Sequence, residues 1–212
     1  GPAAAYMQLH QKDFGLFRDH ARFIEETRGK LDFFSYHFYE NAGTLGAHER
    51  RGQGYSNYLL GRYEATLDVL RAEMHNAENV LPILITECGS LQNGRQAADN
   101  WLRVLAWNAF LTKTMQRPDQ IELFVPFVFL HMPWNPMSGD AVFTPKGNRQ
   151  QHLTIDDFEA TPIANFFELW RDFNGRRLPV TYDREWLDVV AVHSNNKISL
   201  AVTNMGGRQL LL

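Results

Sequence analysis

A single cysteine, Cys88, in 212 residues excludes an intrachain disulfide and any cysteine-built metal site. No apolar run reaches the roughly 18–20 residues that cross a bilayer, so no membrane partner is expected. Charge of one sign is also missing: 21 Lys and Arg against 24 Asp and Glu leave a net charge of −3, which offers no footprint for nucleic acid or an anionic surface. His10, His20, His48, His75, His152 and His193 fall at no ligand spacing, and no metal is expected. The one Gly-rich turn placed after a strand, Gly89-Ser90-Leu91-Gln92-Asn93-Gly94, lacks the dinucleotide fingerprint, and no Gly-x-Ser-x-Gly elbow occurs, so no cofactor is expected either. There is no starting Met and no signal peptide before Gly1-Pro2-Ala3, which predicts a removed amino terminus or a piece of a longer protein. What is plentiful is apolar and aromatic: 44% hydrophobic residues, with 15 Phe, 7 Tyr and 5 Trp. Most of these are core, and some are suited to stack on sugars.

The chain is organised around 81–89, Leu-Pro-Ile-Leu-Ile-Thr-Glu-Cys-Gly. Shortness, Ile content and the bracketing Pro and Gly favour a buried strand. Strict alternation puts Ile83, Ile85 and Glu87 on one face and Leu84, Thr86 and Cys88 on the other. Upstream, a strand tail is expected near Tyr6, then a helix N-capped by Asp13 and stopped by Gly29. Residues 31–40 follow as an aromatic strand with Ser35, His37 and Tyr39 on one face and Phe34, Tyr36 and Phe38 on the other. A polar loop of the length that usually carries function fills 41–57. Leu60, Tyr63, Leu67, Leu70 and Met74 mark a helix, as do Ala98, Trp101, Leu102, Leu105 and Ala109 before Pro118. Residues 121–130 read as a strand covered on both faces and interrupted at Pro126. Thr161-Pro162 opens a last helix carrying Ile163, Phe166, Phe167 and Trp170, closed at Asn174-Gly175.

Repeated strand–helix alternation predicts an α/β fold with a parallel sheet, either open and doubly wound or closed into a barrel. A complete eight-unit barrel takes about 250 residues. Residues 1–178 therefore fit the second half of one, about strands five to eight. Beyond Leu178-Pro179 the texture changes: 189–193 and 198–204 alternate around Ser194-Asn195-Asn196-Lys197, a hairpin signal. Residues 179–212 read as the start of an all-β sandwich, cut off mid-strand at 210–212.

Parallel strands open onto one face, so Tyr6, His37 and Tyr39, Glu87, and His131 and Trp134 would meet there. A carboxylate ringed by a phenol, an imidazole and an indole suits attack on an anomeric carbon, with aromatic rings stacking on the sugar. Each residue also has a plain reading: Glu87 as a polar strand end, His37 as a buried structural histidine, Trp134 as core. Two other functions share these features, a non-catalytic carbohydrate-binding relic and a small flavodoxin-like phosphate binder.

The segments 32–40, 81–90 and 127–136, with Gly61-Arg62-Tyr63-Glu64-Ala65-Thr66 before the central strand, resemble glycoside hydrolase family 86, the β-agarases and β-porphyranases. The resemblance implies a (β/α)8 barrel followed by β-sandwich domains, and retention through two glutamates. It assigns the nucleophile to Glu87 at the seventh strand, residues 35–39 to the sixth, 129–134 to the eighth and Gly1-Pro2-Ala3 to the end of the fifth. The acid/base glutamate belongs on the fourth strand, upstream of residue 1. None of Glu25, Glu26, Glu40, Glu49 or Glu64 matches it, so this stretch alone is expected to be inactive and to need the rest of its barrel. The resemblance implies a secreted or cell-surface galactanase, with an agarose or porphyran chain as substrate. Its sugar contacts would be His37, Tyr39, Glu40, His131, Trp134 and Asn135. Arg50 or Arg51 would meet an ester sulfate if the substrate is porphyran.

Overall fold

The computed structural model describes residues 9, 11–40, 59, 61–90, 96–131, 141–147, 153–183 and 187–205. In chain order these form α1 (Gln11–Glu26), β1 (Phe34–Glu40), α2 (Arg62–Asn76), β2 (Ile83–Ser90), α3 (Ala97–Met115) and β3 (Ile121–Pro126). The strands β1, β2 and β3 make a three-stranded sheet in that order, and both pairings are parallel. A helix on each crossover is what a parallel sheet requires, and their carboxyl ends therefore share one edge. Then come the antiparallel pair β4 (Phe143–Pro145) and β5 (Phe158–Ala160), a 3-10 turn at Pro162–Ala164 and the short helix α4 (Asn165–Trp170). Last is an antiparallel sheet of β6 (Arg176–Leu178), β7 (Leu187–Ser194) and β8 (Lys197–Asn204). No helix among the described residues is long and apolar enough to cross a membrane.

The core lies between the parallel sheet and its helices. Phe34, Tyr36 and Phe38 of β1 and Ile83, Ile85 and Cys88 of β2 pack against Ile24 of α1, Tyr63, Leu67, Leu70 and Met74 of α2 and Phe110 of α3. Each large side chain buried there contributes about 1.5–3 kcal/mol. The rings of Phe38 and Tyr63 meet edge to face at 4.6 Å, and the Tyr63 hydroxyl shares a 2.6 Å hydrogen bond with Thr114. The alternation read for β1 thus holds, as does the α2 stripe from Tyr63 to Met74.

Three readings need correction. Asp13 is not an N-cap: Lys12, Asp13 and Phe14 take left-handed φ values of 54°, 51° and 59°, and right-handed helix begins beyond them. Of the expected α3 stripe only Ala109 is fully buried. Trp101 is 61% exposed, whereas Val104, Ala106, Trp107 and Phe110 are buried. The helix is covered on several sides, by β2 and β3, by the 3-10 turn and α4, and by β7 and β8, so no single stripe is inward. The strand from 121 breaks at Pro126, as read, but does not run on to 130, and it is not covered on both faces: Leu123 and Val125 are exposed. The hairpin is as expected: Ser194 pairs with Lys197 across Asn195 and Asn196, whose φ values of 48° and 61° are those of a type I′ turn. The readings of Tyr6, of the loop 41–57 and of the chain end at 210–212 lie outside the described residues.

His20 on α1 is 1% exposed, packed 5.9 Å from the ring of Phe34 and 5.4 Å from that of Tyr36, and neither ring nitrogen has a hydrogen-bond partner among the described residues. Burial lowers its pKa, outweighing the opposing charge of Asp19. The unfolded chain then binds the proton more readily than the folded one. Stability is full above the unfolded value of about 6.5 and falls as pH drops below it. Thermal melts between pH 7.5 and 5 should show Tm decreasing with acidity, and His20→Phe should flatten that dependence; an unchanged slope would refute the assignment.

Candidate active site

The site begins with an irregularity in β2. Tyr36 pairs with Ile85, but the next residue, His37, pairs with Glu87, which leaves Thr86 as an extra residue without a partner on β1. The β2–β3 ladder slips at the same place, between Ile85 and Cys88. One inserted residue reverses the alternation beyond it. Ile83 and Ile85 therefore face the helices, and so does Cys88, while Thr86 and Glu87 turn together to the face of Ser35, His37 and Tyr39. This corrects the strict alternation, which put Glu87 beside Ile85 and Thr86 beside Cys88. Burial pushes the Cys88 thiol well above its usual pKa, with the charge of Glu40 adding to the shift. The thiol is an inert core group.

On the shared face, the Tyr39 hydroxyl donates to Glu87 Oε2 at 2.5 Å. His37 Nδ1 lies 3.3 Å from the same oxygen, too far off line for a hydrogen bond, so that contact is electrostatic. His37 Nε2 is 3.0 Å from Thr86 Oγ1, which is itself 2.8 Å from Ser35 Oγ. Tyr39 and His37 are buried, and the Glu87 side chain keeps 32% of its surface open. Burial lowers the His37 pKa more than the Glu87 charge raises it, so His37 is neutral near pH 7. The result is a half-open carboxylate, oriented by a phenol from the neighbouring strand and backed by a neutral imidazole. That is a group free to act on a reacting atom from its open side.

Gly89 keeps the wall behind Glu87 thin. A Cβ there would lie 2.9 Å from the backbone oxygen of Phe127, 3.3 Å from Trp107 Nε1 and 3.6 Å from the Tyr39 ring. The backbone oxygen cannot yield as a side-chain tip can, so Gly89→Ala should push β2 away from the chain beyond β3 and displace Tyr39. We expect a loss of about 1–3 kcal/mol of stability by overpacking. Thermal denaturation measures it, and a Tm matching the wild type would refute the close approach.

One residue expected at the site is turned away from it. Glu40 is buried on the face of Tyr36 and Phe38, where its carboxylate accepts from the Leu59 N–H at 2.9 Å, so its reading as a sugar contact is replaced by a structural one. His131 is half-buried five residues beyond β3, its N–H donating to the Phe143 oxygen at 2.9 Å. Trp134 and Asn135 lie outside the described residues. Sequence reasoning gave no role to Thr86 or Trp107. Ser35 carried a signal, its shared face with His37 and Tyr39. A bulge leaves none in a single sequence. Among the described residues no cluster of three or more His, Cys, Asp or Glu could hold a metal ion.

A parallel sheet with crossover helices, gathering a carboxylate, phenol and imidazole at one edge, is a layout found in barrel enzymes that cut glycosidic bonds. No family model matches the chain. Curated relatives do: the chain is 25% identical over 219 residues to beta-porphyranase A of Phocaeicola plebeius, 25% over 222 residues to a funoran endo-beta-hydrolase of Wenyingzhuangia aestuarii, and 22% over 217 residues to a beta-agarase of Pseudoalteromonas atlantica. Each alignment takes in 97% of this chain but only 29%, 28% and 41% of the relative, so the chain spans well under half of each. Among solved structures, a β-porphyranase of glycoside hydrolase family 86 from the human gut bacterium Bacteroides plebeius superposes with a TM-score of 0.75 at 25% identity, covering 96% of this chain and 36% of that one. The chain is a homologue of the glycoside hydrolase family 86 enzymes.

Proposed function

We propose that the protein is an endo-acting, retaining glycoside hydrolase that cleaves β-1,4 linkages in a red-algal galactan, with Glu87 as its nucleophile. The observation that carries this reading is the Glu87 carboxylate at the end of β2, held by the Tyr39 hydroxyl at 2.5 Å with His37 Nδ1 at 3.3 Å. Attack by Glu87 on the anomeric carbon expels the leaving oxygen and forms a glycosyl ester; water then displaces the carboxylate from the opposite side, and two inversions give retention. The acid that protonates the leaving oxygen comes from a strand preceding residue 1, about 5–5.5 Å from Glu87 in a retaining site. On this reading residues 1–178 are strands five to eight of the barrel, 179–212 open a β-sandwich, and the working enzyme is secreted or cell-surface. The relatives' names span porphyran, funoran and agar, which supports a substrate of this class of polysaccharide and favours no single member.

The test is digestion of agarose, porphyran and funoran by the protein carrying its complete barrel, following reducing ends and the anomeric proton of the first product. The β anomer appearing before mutarotation is the expected result. A product born α would overturn retention, and sugar binding without any turnover would leave a carbohydrate-binding relic of the same fold.

A further inference from the structure

We propose that Thr86, the bulged residue of β2, is a positioning residue that fixes the tautomer of His37, keeping the ring's proton on Nδ1, the nitrogen beside Glu87. The proposal rests on the reading of Glu87 as the working carboxylate, and it follows from a count of protons. A neutral imidazole carries one N–H. His37 Nδ1 sits 3.3 Å from a carboxylate oxygen, off the line of a hydrogen bond but close enough that the positive end of an N–H dipole is favoured there over a bare lone pair. The proton therefore belongs on Nδ1, and Nε2 must accept. Its partner at 3.0 Å is the Thr86 hydroxyl, which spends its only proton on that bond. Thr86 Oγ1 is then an acceptor toward Ser35 Oγ at 2.8 Å, so the Ser35 hydroxyl donates to it. The direction of the whole row is fixed: Ser35 O–H to Thr86, Thr86 O–H to His37 Nε2, and the His37 proton on Nδ1 beside Glu87.

Only the bulge makes this row. In a regular strand Thr86 and Glu87 would point to opposite faces, and a hydroxyl from residue 86 could not reach His37 while residue 87 met Tyr39. Ser35 and His37 are 5% and 8% exposed, so bulk water does not compete for these bonds. The row holds the imidazole beside Glu87 in one orientation, next to the Tyr39 hydroxyl that bonds the same carboxylate oxygen.

The experiment is 15N-edited NMR of the histidine side chains in the intact protein, with kinetics on a soluble galactan oligosaccharide. The wild type should show His37 neutral at pH 7 with its proton on Nδ1. Thr86→Val keeps the β-branched shape of the bulge and removes the hydroxyl; it should move the proton to Nε2 or mix the two forms, and lower kcat about tenfold with KM little changed. Thr86→Ser should restore both. A wild-type proton on Nε2, or a Thr86→Val protein that loses rate with its tautomer unchanged, overturns the proposal. A protein that carries its complete barrel and turns over no galactan, yet shows the Nδ1–H form lost in Thr86→Val, refutes the galactanase reading and upholds the row.

Discussion

Glu87→Gln is expected to slow galactan hydrolysis by about 10⁴-fold or more, roughly 5.5 kcal/mol of lost transition-state stabilisation, while oligosaccharide binding stays within a few-fold. The amide has nearly the same shape, and its oxygen still accepts from the Tyr39 hydroxyl that now bonds Glu87 Oε2. What disappears is the anionic oxygen that forms the glycosyl ester, and a neutral amide offers no substitute. Reducing-sugar assays and calorimetry with the same oligosaccharide separate the two effects. The smaller Glu87→Ala adds a test of role. It opens space beside the anomeric carbon for azide, which attacks once, inverts once and leaves an α-glycosyl azide. A variant missing the acid/base instead would, after glycosyl-ester formation, give the β azide. Recovery of the β product, or a Glu87→Gln enzyme within tenfold of the wild type, would place the nucleophile on another residue.

How much of this was legible in the sequence depended on whether one local rule governed each stretch. The β1 alternation was readable because each face has a single environment, aromatic residues toward the helices and polar ones toward Thr86 and Glu87. The hairpin was readable because Asn195-Asn196 is a turn whose backbone demand few residues meet. The identity of Glu87 as the candidate was also accessible, from its place at a strand end. The side it faces was not. Strict alternation placed it with Ile83 and Ile85, which lie in the core, and the inserted Thr86 is what frees it. Residues 83–90 read the same with or without a bulge, because the insertion is decided by pairing with β1 and β3. The same limit explains α3. Its apolar residues run round most of the helix, and the choice between the Trp101 side and the Trp107 side is made by elements up to a hundred residues away. Glu40 misled for a related reason: a carboxylate near a strand end looks functional until the Leu59 N–H it holds is seen.

Lys113→Met should destabilise the protein by about 2–4 kcal/mol, read as a fall in Tm of roughly 5–12 °C. Lys113 on α3 is 7% exposed and sits between Glu64 of α2 and Asp188 of β7, bonding the first closely and the second at 2.9 Å. Burial acts to lower the lysine pKa, but the hydrogen bonds and charges of the two carboxylates outweigh it, and the pKa is raised. Methionine fills the space of the stem and supplies no charge, so the cost falls on the carboxylates left behind. Asp188, 13% exposed, loses its partner in a poorly solvated place; Glu64, 28% exposed, recovers part of its loss from water, which is why the estimate stops short of the full cost of a broken buried pair. The loss should also be directional. Asp188 joins Lys113 to the β7–β8 hairpin, as the Thr112–Thr203 hydroxyl contact at 2.9 Å does, so hydrogen exchange should rise first in β7 and β8 rather than in β1. Adding Asp188→Asn to Lys113→Met should return a large part of the lost stability, since the uncompensated charge is what costs. If the double variant is no better than the single one, the charge left on Asp188 is not what costs, and the lysine contributes through its bond to Glu64.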